Sequence, residues 1–227
     1  MTSGSTDFTL VTNQIIEEAF DLCGIGSEGE AISADQYARA KRSLNLIVKH
    51  KGMKGHLWVR EDKTVTLVAS QAGYALTPKP LRVMEVRRKV TSSGIETPLS
   101  EWARGQYKDQ PNKATESIPV AYYYDPQLST GTLYLWPTPS SATASAMTVE
   151  LTVHRVMDDF DGSADAPDLP QEQLRSLVYD LAEELALKYA IRADLRQEIA
   201  ARAALYRAEA ESWDTEPASL YLQPDHH

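Results

Sequence analysis

The sequence predicts an α+β protein: a discontinuous helical bundle made by N- and C-terminal helices, with an inserted antiparallel β domain of sandwich or barrel-like form and an extended C-terminal tail. Three observations predict this. Apolar residues recur every three to four positions at both ends of the chain and every second position between them. Prolines at 78, 80, 98, 111, 119, 126, 137 and 139 fall between the period-two runs, where strands end. A chain of 227 residues, 42% apolar and 24% charged, has enough apolar material for one sizeable core or two small ones. The changes of period divide the chain into a first helical part (1–57), a β domain (58–157), a second helical part (158–213) and a tail (214–227).

The first helix is read from VTNQIIEEAFDLC, where Val11, Ile15, Ile16, Ala19, Phe20, Leu22 and Cys23 share a face. It runs into GIGSEG, residues 24–29, which spells the G-x-G-x-x-G of a dinucleotide-binding turn. That turn needs a strand before it, and here a helix feeds it, so no cofactor is expected. Gly24 instead falls where a left-handed C-terminal cap belongs, and Ser33 with Gln36 forms the capping box of a second helix. Tyr37, Ala40, Leu44, Ile47 and Val48 give that helix its stripe, which ends near Gly52 and Gly55.

Period two then governs TVTLV (64–68), YAL (74–76), LRVMEVRRKV (81–90), VAYYY (120–124), TLYLW (132–136) and MTVELTVHRV (147–156). The last alternates most cleanly, Met147, Val149, Leu151 and Val153 against Thr148, Glu150, Thr152 and His154. The run Arg87, Arg88, Lys89 reads as an edge strand charged against aggregation. Leu174, Leu177, Val178, Leu181 and Leu185 mark a third helix; Leu195, Ile199, Ala203, Tyr206, Ala210 and Trp213 mark a fourth. Two short helices at each end bury their apolar faces most simply against one another.

Composition and motifs exclude several functions. Residues 1–57 carry 6 basic and 7 acidic groups, 58–157 carry 11 and 9, and 158–227 carry 6 and 16, so the C-terminal third holds the net charge of −9. Such a surface disfavours gripping duplex DNA, which requires clustered cations. No run of eighteen apolar residues occurs, and MTSGSTDFTL has neither the basic nor the apolar region of a signal peptide. A protein made in the cytoplasm, without a membrane partner, is expected. The single cysteine, Cys23, reads as a core thiol.

MDDFDGSADAPD suggests a calcium loop, but aligning Gly162 with the loop glycine puts Met157 at the first ligand position and Asp168 at the twelfth. A solvated loop is expected, with Asp168 and Gln171 capping a helix that begins near Pro170. His50, His56, His154, His226 and His227 lie in no triad motif, and no phosphate loop or metal-ligand spacing occurs. No catalytic, cofactor or metal residue is assigned.

Three stretches together carry a resemblance: LNLIVKH (44–50), YYYDPQLSTGTLYLWPTP (122–139) and DFDGSADAPDLPQEQLRSLVYDLAEELALKY (159–189). They resemble the head-to-tail adaptor proteins of tailed bacteriophages, the group that includes tail tubular protein A and, more distantly, the packaged-DNA stabilisation proteins. The resemblance spans most of residues 8–213; the tail and the proline-rich loop 109–119 depart from it. It implies a structural virion protein of the head-tail neck, made in the host cytoplasm. Such a protein forms a dodecameric ring beneath the portal protein, itself its own partner, and offers a platform to the downstream tail or nozzle protein. Double-stranded DNA would pass through the ring without sequence-specific binding.

Within that reading Asp194, Glu198 and Glu209, on one face of the fourth helix, would turn to the channel and keep DNA sliding. Trp213, Leu220, Tyr221 and Leu222 would bind the portal or a neighbouring subunit, because an apolar segment on an extended tail has the composition of a docking peptide. Two rivals stand beside it: a cell-wall glycan hydrolase using carboxylates of the Asp-rich region, and a DNA-binding module, which the acidic third disfavours.

Overall fold

A computed structural model describes residues 4–25 and 31–214. The helices are α1 (Thr12–Leu22), α2 (Ala34–Gly52), α3 (Arg104–Lys108), α4 (Ser141–Ala146), α5 (Leu174–Lys188) and α6 (Ala193–Trp213). The strands are β1 (Arg60–Thr66), β2 (Gly73–Leu76), β3 (Arg82–Val90), β4 (Glu96–Pro98), β5 (Ser100–Glu101), β6 (Glu116–Ser117), β7 (Ala121–Pro126), β8 (Gly131–Trp136), β9 (Thr138–Pro139) and β10 (Met147–His154). The fold is α+β. Two compact units result, one of Met1–Trp58 with Met157–His227, the other of Val59–Val156.

In the helical unit α5 is the centre, packed against α1, α2 and α6. Its sequence, LRSLVYDLAEELALK, is apolar on more than one stripe, and ten of its fifteen residues are buried. Ile15, Ile16, Ala19 and Phe20 of α1 and Ala40, Leu44 and Val48 of α2 complete the core with α5. Ile199, Ala203 and Ala210 are the buried residues of α6, small enough at two positions for the helices to lie close.

The helix ends follow the sequence signals. Gly24 has φ of 63° and donates its N–H to Asp21 O at 3.0 Å, while Ile25 N–H reaches Phe20 O at 3.1 Å. This is a Schellman cap, the reason for the first glycine of GIGSEG; Gly26 and Gly29 lie outside the described residues. Ser33 Oγ accepts from Gln36 N–H at 3.3 Å and Gln36 Oε1 from Ser33 N–H at 2.9 Å, the expected capping box.

The Asp-rich segment is strapped to the first two helices. Lys41 Nζ donates to Asp161 O at 2.8 Å, Lys49 Nζ to Met157 O at 2.6 Å, and Asn45 exchanges two hydrogen bonds with the Phe160 backbone. Thr12 N–H and Asn13 N–H, at the start of α1, donate to Asp165 O and Ser163 O. The capping role expected of Asp168 and Gln171 is not found. Asp168 Oδ2 accepts from Asp158 N–H at 3.0 Å and Gln171 Nε2 donates to Thr6 O at 2.8 Å, because a 3₁₀ turn, Gln171–Gln173, opens the helix and takes the place of a side-chain cap.

The second unit is a sandwich. One sheet has the order β1-β10-β3-β4, the other β2-β8-β7-β5, and β6 pairs separately with β9. Val83, Val86, Val149, Leu151 and Val153 of the first sheet meet Tyr74, Leu76, Tyr122, Leu133 and Leu135 of the second in one core cluster. Neither sheet closes, so the barrel-like alternative falls, and two short pairs, β5 with β7 and β6 with β9, are the parallel exceptions in a mostly antiparallel domain. The chain changes sheet in one step at Leu99, whose N–H bonds Val86 O while Ser100 N–H bonds Val120 O. Ser100 therefore enters alongside β7 in the direction of travel.

Alternation fails in one place. In β3 the buried residues Val83 and Val86 are three apart, because the register against β10 slips between Thr152 and Val153 and leaves Met84 as an extra residue. The expected edge strand is not an edge: β3 lies between β10 and β4, with Arg87, Arg88 and Lys89 opposite Pro98, Thr97 and Glu96. Their charges face acids, Arg87 at 2.8 Å from Glu85 and Lys89 at 3.3 Å from Glu96, and Arg88 donates to Pro119 O. Ion pairs within β3 and across to β4 and β10 account for Arg87 and Lys89, and a main-chain hydrogen bond accounts for Arg88.

Leu133, fully buried in the sandwich, and Leu128, 98% exposed in the β7–β8 turn, give a direct test. Leu133→Ala is expected to cost about 2–5 kcal/mol in urea unfolding, and Leu128→Ala less than about 0.5 kcal/mol. Burial pushes the Cys23 thiol up to about 11, and its Sγ donates to Ala182 O at 3.3 Å. At pH 8 the native chain should therefore leave Ellman's reagent nearly unreacted over minutes, and react fully once urea unfolds it.

Candidate partner-binding surface

Among the described residues, two depressions of the helical unit stand out. The larger, a groove of about 520 Å³, lies beside the end of α6 and the start of α5 and is walled by Trp58, Trp213, Tyr206, Arg175, Gln173 and Ala210, with Glu172, Glu209 and Asp214 among its other lining residues. The sequence explains how these residues meet. The segment after α2 is tied to the end of α6 through Asp214, whose carboxylate accepts from Leu57 N–H at 2.8 Å and bonds the buried His56 ring. His56 in turn stacks on Trp58, ring centroids 5.5 Å apart. Opposite, the Arg175 guanidinium lies 4.0 Å over the Tyr206 ring, which also meets Tyr179 edge-on at 4.9 Å. Gln173 Nε2 donates to Ala210 O at 3.3 Å, fixing the end of α6 on the 3₁₀ turn. Lys54 bonds Glu211 and holds that carboxyl below its ordinary range.

Trp213 continues the apolar stripe of α6, yet it is 87% exposed, because the stripe runs one turn past Ala210, where α6 meets the 3₁₀ turn before α5. Leu220, Tyr221 and Leu222 lie outside the described residues. Asp194, Glu198 and Glu209 are all exposed on α6. Asp194 pairs with Arg192 at 3.2 Å and Glu198 with Arg202 at 2.8 Å, while Glu209 lines the groove beside Trp213. Trp58, Tyr206 and Arg175 complete a surface of which the sequence marked Trp213 for partner binding and Glu209 as a channel-facing acid. Trp58 stands at the junction of two periodicities, where neither pattern assigns it a face.

The second depression, about 330 Å³, lies between α2 and α6 with α5 beneath it, and a charged cluster lines it. Asp180 of α5, buried at 5% exposure, accepts from Lys51 of α2 at 2.9 Å and from Arg207 of α6 at 2.7 and 3.1 Å. Lys51 also donates to Ser176 Oγ, and Arg207 to Glu183 at 2.9 Å. Burial works against the Arg207 cation, but the hydrogen bonds to Asp180 and Glu183 outweigh it and hold the guanidinium above its ordinary value. This was legible in principle, as a lone carboxylate inside the apolar run LVYDLA, residues 177–182. The carboxylates of the Asp-rich segment hold its loop: Asp165 Oδ2 accepts from Asp161 and Gly162 N–H, and Asp159 pairs with Lys49 at 2.8 Å. Among the described residues no cluster of three or more His, Cys, Asp or Glu side chains is placed to hold a metal ion, and no helix is long and apolar enough to cross a membrane.

The helical unit thus presents an aromatic groove at the end of α6 and a buried ion cluster between its helices. The SU10 adaptor protein family matches residues 17–219, and the chain belongs to that family. It is a head-to-tail adaptor of the tailed-phage kind, a structural protein of the head-tail region. Among solved structures it is similar to a chain in the neck of an empty GTA particle computed with C6 symmetry, at 13% identity and a TM-score of 0.32, over 82% of this chain and 84% of that one. No curated protein matches it.

Asp180 sets a test of the helical unit. Asp180→Leu strands the Lys51 ammonium, whose side chain is 11% exposed, and is expected to cost about 3–5 kcal/mol in urea unfolding. Adding Lys51→Met should recover most of that loss, a coupling that a double-mutant cycle reads directly.

Proposed function

We propose that the chain assembles as a dodecameric ring on the portal protein at the virion neck, continues the DNA channel and offers a platform to the downstream tail or nozzle protein. Membership of the adaptor family over residues 17–219 is the observation that supports this reading most. The surface of α6 agrees with it. Ala201, Ala204, Leu205 and Ala208 are exposed along one side, small enough for a neighbouring subunit to pack closely. Asp194, Glu198 and Glu209 are exposed beside them, and acidic groups facing a channel leave DNA free to slide. Since Asp194 and Glu198 each have an arginine partner, any repulsion they exert on DNA is mild and falls further with salt.

In this reading the chain is synthesised in the host cytoplasm and stays monomeric until the portal templates the ring, because a small wet interface does not alone offset the entropy of association. Trp213 and the Leu220-Tyr221-Leu222 segment secure it to the portal or to the adjacent subunit. The function is mechanical, with no cofactor and no reaction. Mixing the purified chain with its cognate portal should give a ring-on-ring complex in negative-stain images and a matching rise in scattered mass. Absence of any association across a range of salt concentrations would overturn the proposal.

A further inference from the structure

The groove between Trp58, Tyr206 and Trp213 is lined by aromatic side chains, and the residues that follow its rim in sequence are the chain's own tail. We propose that this groove holds the Leu220-Tyr221-Leu222 segment of the same chain in the free protein, and gives it up when the tail engages its partner. The inference rests on the reading of the tail as a docking peptide and adds where that peptide sits beforehand.

Three observations point to this occupant. The first is tether length. Asp214, on the groove's rim, is followed directly by the tail, and Leu220 comes six residues later. Six extended residues reach about 20 Å, whereas the wall from Trp213 back to Tyr206 is seven helical residues, about 10 Å. The tail can therefore reverse and lie along the last two turns of α6. The second is charge. Glu172 and Glu209 outnumber the one cation of the lining, Arg175, whose guanidinium lies over Tyr206, while Asp214 is taken up by His56 and Leu57, so an uncharged peptide is favoured over an acidic one. Residues 217–224, PASLYLQP, carry no charge, and the tail's own acids, Glu216 and Asp225, stand just outside that stretch. The third is the 87% exposure of Trp213, an indole face open for an apolar side chain to cover.

Tethering decides between the chain's own tail and another copy's. A linker this short gives an effective concentration on the order of millimolar. At micromolar protein the chain's own segment therefore wins by roughly a thousandfold. The same arithmetic supplies a delay: the segment becomes free for a partner only when that partner competes it away, which keeps an exposed Leu-Tyr-Leu from recruiting other copies in solution.

The test uses the full-length chain and a synthetic peptide of residues 215–227, titrated while tryptophan emission is recorded. A chain carrying Leu220→Asp and Tyr221→Asp should bind the peptide saturably, and the wild-type chain should bind it at least tenfold more weakly because its groove is filled. Adding Trp213→Ala, at an exposed groove residue, to the double variant should weaken binding at least tenfold with the circular dichroism unchanged. Tyr206→Ala, a truncation at the opposite wall, should do the same. No binding to the double variant, or equal binding to both chains, overturns the inference. The titration contains no portal, so its failure leaves portal docking standing, and a chain that binds peptide but not portal strikes only the latter.

Discussion

One buried carboxylate constrains the helical unit. Asp180 sits on the central helix at 5% exposure, and an uncompensated charge there would cost several kcal/mol. It therefore demands cations, and the two it has come from different helices, Lys51 from α2 and Arg207 from α6. Apolar packing alone would let α6 slide along α5, since the alanines at 203 and 210 interlock weakly. Arg207 fixes one oxygen of Asp180 through both Nε and Nη2 while Lys51 holds the other, and a shift of α6 by one residue would break both Arg207 contacts. The ion cluster thus sets the register of α6, which in turn puts Ala210 over Gln173 and carries Trp213 past the packed part of the unit.

The sandwich is governed by a comparable pair of local devices. The extra residue at Met84 re-aims β3 so that Val83 and Val86 both face inward, and the step at Leu99 passes the chain from one sheet to the other without a loop. Each sacrifices regular pairing for closure of the core. On the outside of the second sheet, α3 lays Tyr107 across Tyr123 and Tyr134, with centroids 5.6 and 5.1 Å away, so a sheet face that would otherwise show two tyrosines to water is covered by a third.

How much of this the sequence disclosed depends on whether the signal was local. The cap at Gly24 and the box at Ser33 and Gln36 follow from a few adjacent residues, and both stand as read. The alternation in β10 likewise buries Val149, Leu151 and Val153. The failures needed knowledge of distant partners. The basic run in β3 looks like an edge until β4, with Glu96, is known to lie beside it. Asp168 looks like a cap until its carboxylate is found on the Asp158 backbone. Short elements such as α3 and α4 are too brief for any period to register. Of the candidate surface, Trp213 and Glu209 were marked, while Trp58, Tyr206 and Arg175 became their neighbours only through tertiary packing.

The strap across α2 has a bearing on how such a chain can change over evolutionary time. Lys41 and Lys49 bond main-chain carbonyls of the Asp-rich segment, and Asn45 bonds both the carbonyl and the N–H of Phe160, so α2 reads the course of that segment largely without reading its side chains. Met157, where the chain re-enters the helical unit, rests within van der Waals distance of Gly52, where α2 ends and from which the chain departs. Both ends of the excursion are thus held at one place by one helix. Closure of the bundle therefore makes its demand on where the chain leaves and returns, at one end of α2, and not on the length of what is threaded between Trp58 and Met157.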